Sequence, residues 1–112
     1  MAHDTYIGVD FDGTLAEDGH HDGPEDTGPP IEPMVRQVRR WLREGYDVRL
    51  FTARKPHPAL RRWMQEHLGT VLKITNVKEP GMICFYDDRA VGVKRNEGVV
   101  FSKDNETEAW KE

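Results

Sequence analysis

Cysteine occurs once in this sequence, at position 84, so no disulfide can close within the chain. That scarcity fits a reducing compartment, and the cytoplasm is the expected location. Long apolar runs are missing as well. None approaches the ~20 residues that cross a bilayer, so no membrane partner is expected. The opening residues, Met1-Ala2-His3-Asp4-Thr5, lack the basic and apolar regions of a secretory signal. Positive charge is in short supply, with 16 Lys and Arg against 20 Asp and Glu and a net charge of −4. This balance gives no overall basic face for nucleic acid, although local arginine clusters remain able to act. Neither an internal repeat nor a low-complexity tract interrupts the 112 residues, which are expected to form a single domain, 1–112. A chain of this size buries roughly 65% of its unfolded surface, enough for one core.

What is present is organised around Tyr6-Ile7-Gly8-Val9-Asp10-Phe11-Asp12-Gly13-Thr14-Leu15. The apolar run with β-branched residues reads as a strand buried on both faces. It breaks at Asp12-Gly13, where the chain must turn, and leaves two carboxylates near the C-terminal end of the strand. In open α/β sheets that end is where ligands bind. Acids placed beside a buried strand are costly unless they hold a cation or do chemistry.

Downstream, residues 16–30 carry Gly19, Gly23, Pro24, Gly28, Pro29 and Pro30 without periodicity, and read as a loop. Such a long loop in a small domain is often functional, and this one starts directly behind Asp12. Within it, Asp18-Gly19-His20-His21-Asp22 is read as a solvated tip, with a metal or phosphate contact as the alternative. A helix is expected over 33–44, with Pro33 in its first turn, Gly45 after it and a core stripe of Met34, Val35, Val38, Trp41 and Leu42. Arg36, Arg39, Arg40 and Arg43 occupy much of the remainder, either as a solvated face or as a contact to a phosphate backbone. Residues 47–52 form a second strand ending in Thr52-Ala53-Arg54. A second helix over 58–68 and a third strand over 71–75 follow. A fourth strand, 82–86, ends in Asp87-Asp88-Arg89 and carries Cys84 as a core residue. Residues 99–101 form a short edge strand, and Trp110 packs back on the body. This order calls for an α/β fold: a mostly parallel sheet with helices on both faces. In such a sheet Asp10, Asp12, Thr52, Asp87 and Asp88 gather at one edge.

Asp10-x-Asp12-Gly13-Thr14-Leu15 resembles the first motif of the haloacid dehalogenase (HAD) superfamily, mostly Mg²⁺-dependent phosphatases with an aspartyl nucleophile. Thr52-Ala53-Arg54 and Asp87-Asp88-Arg89 resemble its second and fourth motifs, and the likeness runs from about residue 6 to 92. The resemblance implies a Rossmann-like HAD core. Residues 16–30 suffice for a flap but not for a cap domain, since independent domains need roughly 50 residues. Short stretches, among them Pro33-Met34-Val35 and Glu44-Gly45-Tyr46-Asp47-Val48, also look like small phage-type HAD proteins and the phosphatase half of polynucleotide kinase-phosphatases. The third motif is a lysine upstream of the last catalytic strand. Lys78 is taken for it, with Lys73 as the competitor.

On this reading the chain is a phosphomonoester hydrolase with an aspartyl-phosphate intermediate on Asp10, and Asp12 is general acid and base. Asp10 and Asp87 suit Mg²⁺ as hard oxygen ligands. The resemblance adds the Asp12 carbonyl and Asp88 to the metal set. Thr52 and the amides around Phe11-Asp12 and Ala53 would bind phosphoryl oxygens, Lys78 would offset their charge, and Gly13 permits the turn. Arg54 and Arg89 either clamp the substrate or brace Asp88 or a helix end. The expected partner is a phosphorylated small molecule, reached through an open site that a second subunit could lid. A nucleic-acid 3′-phosphate end is the alternative substrate. A catalytically silent phosphoryl-binding module is the alternative from another class, and the intact Asp10/Asp12 pair speaks against it.

Overall fold

The structure, a computed structural model, describes residues 5–101; the expected packing of Trp110 lies outside them. Four strands form the sheet: β1 (Tyr6–Val9), β2 (Val48–Phe51), β3 (Lys73–Thr75) and β4 (Met82–Tyr86). All neighbours are parallel, in the order β3-β2-β1-β4. β1 is central and buried at every position, as its apolar sequence requires. In β2 the alternation is visible directly, Val48 and Leu50 being buried and Arg49 and Phe51 only partly so.

Two helices complete the architecture, α1 (Glu32–Arg43) and α2 (Pro58–Leu68). α1 begins one residue before Pro33, with the Ile31 carbonyl accepting from Met34 N and Val35 N. It ends where Gly45 turns left-handed at φ 90°, which lets Gly45 N and Tyr46 N reach the carbonyls of Leu42 and Trp41. α2 is capped by His57, whose Nδ1 accepts from Ala59 N at 3.1 Å.

The α/β, Rossmann-like class stands, but both helices lie on one face of the sheet. Val35 and Val38 of α1 and Leu60, Trp63, Met64 and Leu68 of α2 join Ile7, Val9, Val48 and Leu50 in a single core. The reason is topological. The chain steps from β1 to β2 to β3 in one direction, so two right-handed crossovers place their helices on the same side. The return to β4 uses only residues 76–81, which is too short for a helix. On the opposite face the Phe51 and Phe85 rings meet over Gly8, tilted, with centroids 4.8 Å apart.

Three further expectations change. The third strand starts at Lys73 rather than at 71, because its pairing with β2 begins there, opposite Arg49. Residues 99–101 form no strand: Val100 makes a lone antiparallel bridge to Val93 around a tight turn at Asn96 and Gly98. Cys84 is exposed rather than in the core, since β4 has no outer neighbour among the described residues. No described helix is long and apolar enough to cross a membrane.

A Cβ at Gly8 would sit 2.6 Å from Met82 Sδ and 3.4 Å from Phe85 Cδ1. Gly8→Val is therefore expected to overpack the sheet and cost about 1–3 kcal/mol. Urea unfolding measures this, and a loss within error of zero would show that the uncovered face yields freely.

Candidate active site

The acids collect at the C-terminal edge of the sheet because parallel pairing carries three strand ends to one place. Asp10 N donates to Tyr86 O at 2.9 Å, which locks the residue after β1 to the end of β4. The next turn is tight: Phe11 O accepts from Thr14 N, Leu15 N and Ala16 N, while Phe11 itself is buried edge-on against Trp63. Gly13 adopts φ 89°, and any side chain there would meet Asp88 Oδ2 at 2.6 Å. The glycine is needed both for the turn and for the approach of Asp88.

Asp10, Asp87 and Asp88 bring carboxylate oxygens within 4.8 Å of one another. Thr14 ties them together, a role the sequence reading had not given it. Its hydroxyl lies 3.3 Å from Asp10 Oδ2 and 3.2 Å from Asp88 Oδ1, and it accepts from Asp88 N at 3.1 Å. Its single proton serves one carboxylate at a time. Burial, then the charge of Asp87 and the contact with Asp88, push the Asp10 carboxyl up to about 7. Like charges this close to a half-buried carboxyl disfavour its ionisation in the absence of a counter-charge.

Asp12 points elsewhere. Arg54 Nε and Nη2 donate to its two oxygens, each at 2.8 Å, in a bidentate pair with both side chains over four-fifths buried. The same guanidinium donates to the carbonyls of Asp26 at 2.9 Å and His20 at 2.8 Å. Its hydrogen bonds to Asp12 hold it charged even more firmly than usual. Arg54 thus braces Asp12 and the 16–30 segment together, neither of the two partners (Asp88 or a helix end) considered from sequence. Thr52 is buried and accepts from Arg54 N at 3.1 Å, fixing the loop that carries the arginine.

The 16–30 segment is a flap with a closed base: Glu17 N donates to Pro29 O, and Ile31 N to Leu15 O. Trp63 Nε1 anchors it by donating to Gly28 O at 2.8 Å. Its tip is exposed, yet it is not merely solvated. Asp18 and His21, paired at 2.8 Å, form part of the wall of a cleft of about 490 Å³. Asp10, Asp12, Thr52, Ala53, Arg54, Asp87 and Arg89 line the rest together with Phe51. Sequence spacing could not reveal this, because the approach of Asp18 and His21 depends on how the flap folds back.

Lys78 and Lys73 are not brought there. Lys73 opens β3 and lines a separate depression with Tyr6, Arg49 and Glu79. The chain after Lys78 is pinned at the opposite edge, Tyr6 N donating to Gly81 O and Arg49 pairing with Glu79 at 3.5 Å. The cations of the cleft are Arg54 and Arg89, the latter 84% exposed and 3.9 Å from Asp18. The α1 arginines also lie away from it. Arg40 and Arg43 occupy the last helical turn, at the sheet edge opposite the cleft, and Arg40 pairs with Glu44 at 3.2 Å.

Two outcomes follow from this geometry. Arg54→Ala leaves Asp12 unpaired and frees two flap carbonyls, an expected loss on the order of 3 kcal/mol. Limited proteolysis should then cut within 17–28 far faster than in the unsubstituted protein; an unchanged cutting rate would refute the brace. The second outcome concerns pH in the absence of divalent cations. Between the ordinary Asp value of 3.8 and about 7, the folded chain keeps the Asp10 proton that the unfolded chain releases. Stability therefore falls as pH rises through that window. Melts in a chelator should show this slope, and Asp10→Asn should flatten it.

No protein-family model and no curated protein matches the sequence. A solved structure of a conserved protein from Bacteroides thetaiotaomicron is similar at 24% identity over 76% of both chains, with a TM-score of 0.58. At that identity the likeness shows the α/β fold alone.

Proposed function

We propose that this protein is a divalent-cation-dependent phosphomonoester hydrolase that works through an aspartyl phosphate on Asp10, the activity implied by its resemblance to HAD phosphatases. The observation that carries the reading is a division of labour among the acids. Asp10, Asp87 and Asp88 converge on one point, while Asp12 is held apart by Arg54.

The donor set fits a hard cation. Three carboxylates offer oxygen only, and the raised Asp10 value marks a missing counter-charge. Mg²⁺ would be held by Asp10 and Asp87, with Asp88 and the Asp12 carbonyl in support. When bound, it neutralises the anionic nucleophile and the incoming phosphoryl oxygens.

This chain's own residues do the rest. An Asp10 carboxylate oxygen attacks phosphorus, the new O–P bond forms, and the bond to the leaving oxygen breaks. Asp12 gives that oxygen its proton. In the second step Asp12 takes a proton from water as the water attacks the aspartyl phosphate, which releases inorganic phosphate and restores Asp10. Arg54 occupies both Asp12 oxygens, so one of its two contacts must loosen when Asp12 acts as the acid. The amides behind Phe11 and Thr52 bind phosphoryl oxygens, and Arg89, which lines the cleft where Lys78 does not, supplies the cation.

The test is turnover of p-nitrophenyl phosphate and an alkyl phosphate with Mg²⁺ and after chelation. Asp10→Asn should abolish both turnover and acid-trapped phosphoenzyme. Asp12→Asn should slow the alkyl ester about 10²–10⁴-fold and the nitrophenyl ester less. Near-native turnover by Asp10→Asn would sink the covalent route.

A further inference from the structure

A second cavity adjoins the catalytic cleft. It holds about 450 Å³ and shares two wall residues with the cleft, His21 and Arg54. Pro24 of the flap faces Pro56 and Leu60 across it, and Lys55 and His57 complete the lining. Its chemistry differs from that of the cleft, since no carboxylate lines it. Lys55 has no ion-pair partner among the described residues. His57 uses Nδ1 to cap α2, which leaves Nε2 for a ligand or for distant Glu25 at 4.0 Å.

Attack by Asp10 sends the leaving oxygen away from Asp10 and toward the acid that protonates it, Asp12. Asp12 is turned to Arg54, and Arg54 is the partition between the two cavities. The leaving group therefore extends past Arg54 into the second cavity. Apolar walls of proline and leucine suit a flat ring, and the volume suits one of nucleoside size. An unpaired lysine at the rim of a chain with net charge −4 is a local attractor for a second anion.

We propose that the cavity between 23–24 and 54–60 is the leaving-group subsite, and that it takes a ring bearing a second phosphate, so that the substrate class is a nucleoside bisphosphate rather than a simple sugar phosphate. This rests on the phosphatase reading, and the experiment separates the two. Calorimetry on Asp10→Asn protein with Mg²⁺ compares adenosine 3′,5′-bisphosphate, adenosine 3′-monophosphate and fructose 1,6-bisphosphate. The first should bind at least about tenfold more tightly than either of the others, the size of effect expected of one charge-assisted contact. Lys55→Gln in the same background should erase its advantage over the monophosphate, while Lys94→Gln, on a distant exposed turn, should not. In parallel, the unsubstituted enzyme is assayed for phosphate release from all three and from p-nitrophenyl phosphate. Hydrolysis without discrimination, or an advantage that survives Lys55→Gln, overturns the subsite and leaves the phosphatase standing. No phosphate release from any of the four overturns both.

Discussion

Three carboxylates at one corner of a folded chain repel one another, and the partial burial of Asp10 weakens the screening that water gives it. Asp10, Asp87 and Asp88 meet under these conditions, held by Thr14 from one side and by the β1–β4 pairing from the other. The Asp10 N to Tyr86 O bond is what prevents the strands from sliding apart to relieve the repulsion. The charge is not dispersed, and burial together with the neighbouring Asp87 and Asp88 pushes the Asp10 carboxyl up to about 7. The proposed chemistry depends on a cation relieving that repulsion.

Arg54 solves the complementary problem. A fourth carboxylate in the same cluster would add to the repulsion, and Asp12 is instead drawn aside into a bidentate pair. The guanidinium has donors left over, and the flap carbonyls of His20 and Asp26 take them. One side chain thereby couples the acid to the segment that covers it, so flap position and Asp12 orientation are not independent. Trp63 and Gly28 hold the far end of that segment against the core. The flap is short, but it is anchored at its base and through its middle.

The one-sided sheet shapes what surrounds this site. With both helices on the Ile7–Val9 face, the opposite face relies on Tyr6, Phe51 and Phe85 and on the aliphatic reach of Arg49 over the Tyr6 ring, 4.0 Å from its centroid. β4 is left as an edge, with Ile83, Cys84 and Tyr86 exposed. The acidic edge is steadied at its centre, because Asp10 and Asp12 follow β1, which is buried along its whole length.

The local code determined a great deal. Short apolar runs and stripes of period 3.6 were enough to find all four strands and both helices. The strand-to-turn breaks at Asp12-Gly13, Thr52-Ala53 and Asp87-Asp88 were enough to predict a shared edge, because parallel strands must end together. Asp10, Asp12, Thr52, Ala53, Arg54, Asp87 and Arg89 do line one cleft, with Gly13 and Asp88 touching behind it. The pattern could not say where long side chains and loops would go. The partner of Arg54 lies 42 residues away, and Thr14 meets Asp88 across 74. Lys78 looked near the edge by sequence distance, yet it does not line the cleft, and the chain directly after it is drawn to the opposite edge by Glu79 and Gly81. Both helices share a face because of the order in which the strands are visited, and Cys84 is exposed because nothing pairs outside β4. Periodicity is a property of neighbours along the chain, so it was legible in the sequence; charge pairing, edge exposure and the path of a crossover are properties of neighbours in space, and only the tertiary structure decided them.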